Sequence, residues 1–351
     1  MSSRHGGGMR NTMVNHIFEK FLNEKTAAFD SYMAEFFGEG THPDMWRYLY
    51  GPLSEFSNNA GKRHRPLICM LACKAVGGDD DMARAAGAAI EHFHTAALIH
   101  DDIADESQLR RGKPCLHHQI GEGLAINAGD LALSLVTGTV LVDDSLSDAV
   151  KLRVLKELVD MTTRTIEGQA LDIGWARDER FDITVEDYLT MAAHKTAFYS
   201  GGVPLAVGAI IGGGSELQIE TLRAYGMSTG LAFQIQDDLL NLVGTEEATR
   251  KDFRGDITEG KRTLVVVHAL EHTDGAVHDE LIDILSSKEM DPARLEHAVQ
   301  IMQEAGSIDF AREHAIKLAH DHQDELKDVL PASPVRKLLV SMGDFFVSRL
   351  N

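Results

Sequence analysis

Basic charge is scarce in this chain. Thirty-four lysines and arginines face 54 acidic residues over 351 positions, leaving a formal charge of -20. That balance excludes a general nucleic-acid binder, which needs a basic patch. Cysteine is scarcer still. Cys69, Cys73 and Cys115 form no CxxC pair and no even framework, so no disulfide scaffold and no structural zinc are expected, and the setting reads as reducing and cytoplasmic. Long apolar runs are missing as well: 125–142 is interrupted by Asp130, and 203–213 is only eleven residues. Neither reads as a membrane span. Residues 1–15 are polar and Gly-rich without an apolar h-region, so they read as a disordered segment rather than a signal peptide. Period-two alternation, the mark of half-buried strands, is nearly absent.

What is present is a period near 3.6. Apolar residues recur at helical spacing through 91–100, 150–168, 185–200, 219–241, 263–271 and 293–305. Glycine and proline fall where helices should stop, at Gly77-Gly78, Gly112, Gly121, Gly212 to Gly214, Gly244 and Pro331 to Pro334, and Pro292 after Asp291 looks like a helix start. With 44% hydrophobic residues there is ample material for a core. The expected fold is all-α: residues 16–351 as one domain of roughly a dozen helices, counted from the spacing of those breaks, bundled around a central cavity.

Two acidic runs stand out. Asp101-Asp102-Ile103-Ala104-Asp105 places Asp101 and Asp105 at i and i+4 on one helix face, and Asp237-Asp238-Leu239-Leu240-Asn241 repeats the theme later in the chain. Acidic pairs at this spacing are most often a solvated face. Here apolar stretches flank both runs, and a charge set among apolar residues is expensive unless something compensates it. Hard oxygen ligands suit Mg²⁺, which shares its coordination shell with phosphate oxygens. Two such faces turned toward each other would grip a diphosphate.

Cations accompany them. Gly61-Lys62-Arg63-His64-Arg65-Pro66 has the character of a helix N-terminus, where free amides and the helix dipole favour an anion. Arg110-Arg111 follows the first run and reads either as an anion site or as a helix C-terminal charge pair. Lys195-Thr196, Gln234, Lys251 and Lys261 supply further cations and polar groups for a second phosphate-bearing ligand. His94 lies seven residues, two turns, before Asp101 on the same face. A zinc site among the histidines is not expected, since His92 and His94 point apart and no HExxH accompanies them.

In order along 61–263 stand GKRHRP, HTAALIHDDIAD, RRGKP, NAGD, GQALDI, HKTA, FQIQDDLLN and GDITEGKRT. In this ordered set the chain resembles the trans-isoprenyl diphosphate synthases, or polyprenyl synthetases, of geranylgeranyl diphosphate synthase type. The resemblance implies an all-α fold around a deep cavity, a homodimer, and three Mg²⁺ holding an allylic diphosphate between the two motifs. Carried over by position, Asp101, Asp105 and Asp237 would bind Mg²⁺. Lys62, Arg65, His94 and Arg111 would hold isopentenyl diphosphate, and Arg110, Lys195, Lys251 and Lys261 the allylic diphosphate. Thr196 and Gln234 would border the carbocation, and the departing diphosphate would take the proton. Two departures from the family pattern are visible: Asn241 replaces a frequent Asp, and the glycine spacing between Lys251 and Asp256 is altered.

In this family the product grows down a tunnel beside the first aspartate helix. At about 1.5 Å per residue, Ala96 lies roughly 7 to 8 Å below Asp101 and Phe93 roughly 12 Å below it. Ala96 and Ala97 are too small to stop a C15 chain, which leaves Phe93 as the floor and C20, with C25 next, as the expected product. Two other readings are open. A class I terpene cyclase would share the first motif, but it uses an Asn/Ser/Glu metal motif absent here and has no need of the isopentenyl diphosphate residues. A non-catalytic partner subunit would typically have lost aspartates that this chain retains.

Overall fold

The computed structural model describes residues 8–59, 61–244, 253–287 and 291–348. Apart from the two-residue strands Leu109–Arg110 and Lys113–Pro114, every regular element among them is helical. The all-α expectation therefore holds. There are more helical segments than a dozen, because short turns such as Pro43–Met45, Leu116–Ile120 and Gly255–Thr258 stand as helices of their own. The first helix, Gly8–Met33, begins ahead of the boundary expected after residue 15.

Helix starts follow the side-chain chemistry of the residue in front. Ser147, Ser215, Thr263 and Ser333 each accept, through the hydroxyl, an amide N–H from the first turn of the helix that follows. Such caps satisfy donors that the helix itself leaves open, each stabilising it by about 1 kcal/mol.

Two long helices carry the acidic runs. The first aspartate helix, Arg84–Ala104, starts with Ala85, Ala86, Ala88 and Ala89, all buried. These small side chains let His64–Ala75 and Glu122–Leu141 close on it. The second aspartate helix, Glu216–Val243, packs against a continuous rod made of Val185–Ala192, a π-helical stretch Ala193–Gly202, and Val203–Ile211. Glycines set these contacts. A Cβ on Gly201 would stand 2.0 Å from the Gly226 carbonyl oxygen, and one on Gly168, in the helix Asp148–Arg177, only 2.2 Å from the Lys195 nitrogen. No other residue permits that approach of backbones.

Arg63 closes the base of the bundle. Nearly fully buried and capping His64–Ala75, it donates to Asp30 at 2.5 Å, to Glu91 at 2.7 Å and to the Ser57 carbonyl at 2.5 Å. Removing either Arg63 or its equally buried partner Glu91 strands a charge, at a cost of about 3–5 kcal/mol. Within the basic run, then, Arg63 ties the fold together.

Glu122–Leu141 is long and apolar enough to cross a membrane by length and composition. In this fold one side of it lies on the first aspartate helix, with Ala125, Ala128 and Ala132 buried.

Candidate active site

The first acidic run is a cluster of ion pairs at the C-terminal end of Arg84–Ala104. Asp101 Oδ1 accepts from Gln169 Nε2 at 2.8 Å and lies 3.6 Å from Lys195 Nζ. Burial favours the neutral acid, but Lys195, Lys261 and Arg110 together outweigh it and hold Asp101 well below the ordinary carboxylate range. Asp105 is displaced upward, first by burial and then by Asp101, while Lys261 opposes both. Lys261 donates to Asp105 Oδ2 at 2.7 Å, and Glu259 Oε2 lies 2.6 Å from the same ammonium. Lys195 in turn donates to Asp172 at 2.5 Å.

Arg110 is not at a helix C-terminus, which corrects one of the readings open for the Arg110-Arg111 pair. The helix ends at Ala104, and Arg110 lies on the first strand of a hairpin whose turn places Arg111 and Gly112 at positive φ, as tight two-residue hairpin turns require. From there Arg110 Nε donates to buried Asp102 at 2.7 Å, and its Nη2 lies 3.9 Å from Asp101. Arg111 Nη1 donates to the Asn59 carbonyl at 2.5 Å.

The second run differs in kind. Asp238 accepts from Tyr188 Oη at 2.7 Å and from Gln234 Nε2 at 2.6 Å. Burial, then repulsion from Asp256, pushes its carboxyl up to about 8. Gln234 Oε1 accepts from Thr196 Oγ1 at 2.6 Å. The rod thus joins the two motifs at adjacent positions, Lys195 reaching Asp101 and Thr196 reaching Gln234. Asp237 is half-buried one turn beyond Gln234. Asn241, where an Asp is frequent, holds the backbone instead. Its side-chain oxygen accepts from the Asp256 amide and fixes the start of the segment leading to Lys261.

A second basic group gathers around Tyr199. Arg65, buried, donates to Ser200 Oγ at 2.9 Å and to Tyr199 Oη at 3.3 Å, with its guanidinium 4.7 Å from the Tyr199 ring centre. His94 stacks on the same ring, 5.8 Å between centroids. Burial, then Arg65, Arg111, His64 and Arg110, hold its imidazole well below the usual range, so His94 is neutral at physiological pH. Lys62 is exposed, with its ammonium 5.3 Å from the Phe345 ring centre. Lys251 lies outside the described residues.

The residues expected to set product length divide. Phe93, 3% exposed, meets Tyr199 edge-on at 5.5 Å, and half-buried Ala97, one turn above, packs against the same apolar cluster. Ala96 faces elsewhere, wholly buried with Ile99, Ala125, Ala128 and Ala132. One residue turns a helix by about 100°, which separates the two alanines.

Among the described residues no group of three or more His, Cys, Asp or Glu side chains is preassembled around a metal position. Magnesium does not require one, since it takes one or two carboxylates and completes its shell with water and phosphate. The Asp101 and Asp105 carboxyls stand one turn apart at the end of one helix, and Asp101 adds to the cost of ionising Asp105, so the two are near enough to share a divalent cation. The donor set therefore fits Mg²⁺.

Gln169, Asp172, Tyr188, Tyr199, Ser200 and Glu259 were not singled out from sequence. Gln169 and Asp172 had a usable signal, standing at i and i+3 directly after Gly168. Tyr199 and Ser200 had none beyond following Lys195 by one helical turn.

The polyprenyl synthetase family model matches residues 47–302. The chain belongs to the polyprenyl synthetase family. It is 42% identical over 290 residues to the short chain isoprenyl diphosphate synthase of Methanothermobacter thermautotrophicus, an alignment covering 82% of this chain and 86% of the relative. It is 36% identical to the geranylfarnesyl diphosphate synthase of Natronomonas pharaonis, covering 86% and 90%. The crystal structure of geranylgeranyl pyrophosphate synthetase from Pyrococcus horikoshii superposes with a TM-score of 0.86 at 33% identity, covering 95% of this chain and 98% of that one. This polyprenyl synthetase is a trans-prenyltransferase.

Proposed function

We propose that the enzyme condenses isopentenyl diphosphate with an allylic diphosphate in a Mg²⁺-dependent reaction and releases mainly the C20 product, geranylgeranyl diphosphate. The observation that carries this reading is the adjacency of Lys195 on Asp101 and Thr196 on Gln234. A cationic clamp for a leaving diphosphate and a neutral polar pair for the carbon it leaves stand one residue apart.

Asp101, Asp105 and Asp237 would hold the magnesium, three ions by analogy with the family. Bound Mg²⁺ supplies Lewis-acid stabilisation of the charge that develops on the departing diphosphate. Lys195, Lys261 and Arg110, kept protonated by the surrounding carboxylates, bind and orient that diphosphate. Lys251 is assigned to the same group by position. Thr196 and Gln234 turn fixed dipoles toward the allylic cation without offering a nucleophile strong enough to capture it. Arg65, Arg111 and Lys62 hold isopentenyl diphosphate by charge, and neutral His94 donates one hydrogen bond. Phe93 and Tyr199, which meet edge-on, keep water from the cation. The proton released after attack passes to the departing diphosphate, so no side-chain base is needed.

The C20 limit rests on Phe93, three-dimensionally one turn below Ala97. A C25 product is the second reading, favoured by the small Ala97 and by a relative named for geranylfarnesyl diphosphate. We further place the enzyme in the cytoplasm, supported by three cysteines that are all buried and in no disulfide, and as a homodimer. Support for the dimer comes from Asp148–Arg177, where Leu152, Val159, Ile166 and Ile173 recur every seven residues at 71%, 54%, 60% and 40% exposure. Such a stripe suits an isologous contact with a second copy, and Ile166→Glu should yield a monomer by sedimentation.

The test is incubation with Mg²⁺, isopentenyl diphosphate and each of the C5, C10 and C15 allylic diphosphates, followed by sizing of the dephosphorylated alcohols. A dominant C20 alcohol is expected. A dominant C25 alcohol moves the floor below Phe93, and no elongation from any primer overturns the proposal.

A further inference from the structure

Arg262 is the largest of the almost completely buried side chains, at 1% exposure. Burying a guanidinium is unfavourable unless its donors find strong acceptors, and an apolar side chain of similar volume would fill the space at less cost. What Arg262 does with its donors is join two loops. Its Nε donates to the Arg180 carbonyl at 2.5 Å, its Nη1 donates to the Gly260 carbonyl, and its guanidinium lies 4.1 Å from the centre of the Phe181 ring.

Those loops belong to different halves of the cation clamp. Arg180 and Phe181 follow the end of Asp148–Arg177, the helix whose Gln169 holds Asp101 and whose Asp172 holds Lys195. Gly260, at positive φ, and Glu259 lie beside Lys261, whose ammonium reaches Asp105. The Lys261 amide is fixed separately, donating to the Asp256 carbonyl at 2.8 Å. Arg262 thus ties the one segment that bears Lys261 to the other that positions Lys195.

We propose that Arg262 is a positioning residue for the allylic diphosphate: it fixes the 260–262 turn so that Lys261 and Lys195 converge on one ligand. This rests on the assignment of Lys261 to the allylic diphosphate made above. Arg262 itself touches neither substrate, so its effect passes through Lys261 and falls on one substrate rather than both.

The experiment is a double-mutant cycle on the full-length enzyme with Arg262→Met, Arg262→Lys, Lys261→Met and the double Met variant, reading kcat, KM for each diphosphate and Tm. Arg262→Met should raise KM for the allylic diphosphate about tenfold, the scale of losing one well-placed charged donor, with KM for isopentenyl diphosphate within about twofold of wild type. Arg262→Lys should give a smaller rise in the same direction. On the Lys261→Met background, Arg262→Met should add nothing further. Equal rises in both KM values, or a full additional rise on that background, would overturn the proposal in favour of a purely structural role. If Arg262→Met does not fold, the Lys variant decides, and an unchanged allylic KM sinks the idea. A Lys261→Met variant with normal allylic KM would instead refute the assignment of Lys261, an outcome read independently of Arg262.

Discussion

On Arg84–Ala104 the acidic run is met by cations, with Lys195 and Arg110 beside Asp101, Arg110 on Asp102 and Lys261 on Asp105. On Glu216–Val243 the buried aspartate is met by neutral donors, the Tyr188 hydroxyl and the Gln234 amide. The cations keep Asp101 ionised before any substrate arrives, so its seat is preorganised for a charged ligand. Asp238, pushed up to about 8 by burial and then by Asp256, accepts from Gln234, whose other end accepts from Thr196; the metal role proposed for this run falls to Asp237. Under the proposed function the difference separates two demands of the reaction, stabilising a leaving anion and lying beside a carbocation without trapping it. Below the aspartates the helices differ again. Tyr225 and Thr229 of the second helix bond to main-chain carbonyls, whereas His92 of the first lies between Phe36 and Phe37 with both ring nitrogens unpartnered.

The sharpest way to break the comparison is to neutralise each helix in turn. Asp101→Asn should lower kcat/KM by roughly 10³-fold in an assay of isopentenyl diphosphate incorporation, the upper end for losing one preorganised electrostatic contact. Asp238→Asn should lower it by only about tenfold, the cost of one lost hydrogen bond. Equal losses would erase the distinction. Because Asp238 is argued to act through Gln234, Gln234→Leu combined with Asp238→Asn should be no worse than Gln234→Leu alone. Full additivity would show that the two residues act separately.

Smaller in rate but visible in product is Phe93→Ala, which should lengthen the dominant alcohol by at least one isoprene unit. The same substitution at Phe233, which packs from the second helix against His64 and Phe346, should alter yield more than length. An unchanged length distribution in Phe93→Ala would remove the floor from the first helix. The smallest effect concerns stability. Burial holds His92 down to about 4, so between about 6.5 and about 4 the unfolded chain binds the extra proton and stability falls as pH falls. From pH 7 to pH 5 this term is on the order of 2 kcal/mol. In His92→Leu, denaturant unfolding at the two pH values should show a correspondingly smaller difference, and an identical slope would refute the neutral, buried histidine.

Much of this site is legible in residue spacing, and its limits have physical reasons. Asp101 and Asp105 declare themselves because i, i+4 spacing is a property of one helix. Thr196 and Gln234 could be placed as neighbours only by resemblance, since their contact spans 38 positions. Arg63 and Arg65 look alike in sequence and part company in the fold: Arg63 sits at positive φ and turns into the N-terminal packing, and Arg65 turns toward Tyr199. The hairpin under Arg110 was missed because two residues are too few to show alternation. Gln169 and Asp172 carry a spacing signal, but their partners are chosen by how closely Gly168 lets Asp148–Arg177 approach the rod. Asn241 looked like a lost ligand and is a backbone anchor.

The π-helical stretch Ala193–Gly202 has a consequence for how such an enzyme can be altered. Lys195 and Thr196 at its start reach Asp101 and Gln234, and Tyr199 and Ser200, one wide turn later, hold Arg65; under the proposed function these are the seats of the two reactants. The angle between the two seats is therefore counted in residues along a single helix. Removing one residue there would swing one seat around the axis by roughly a quarter of a turn relative to the other. Insertions and deletions in this stretch are all-or-nothing events, while substitutions leave the phasing of the two reactants untouched.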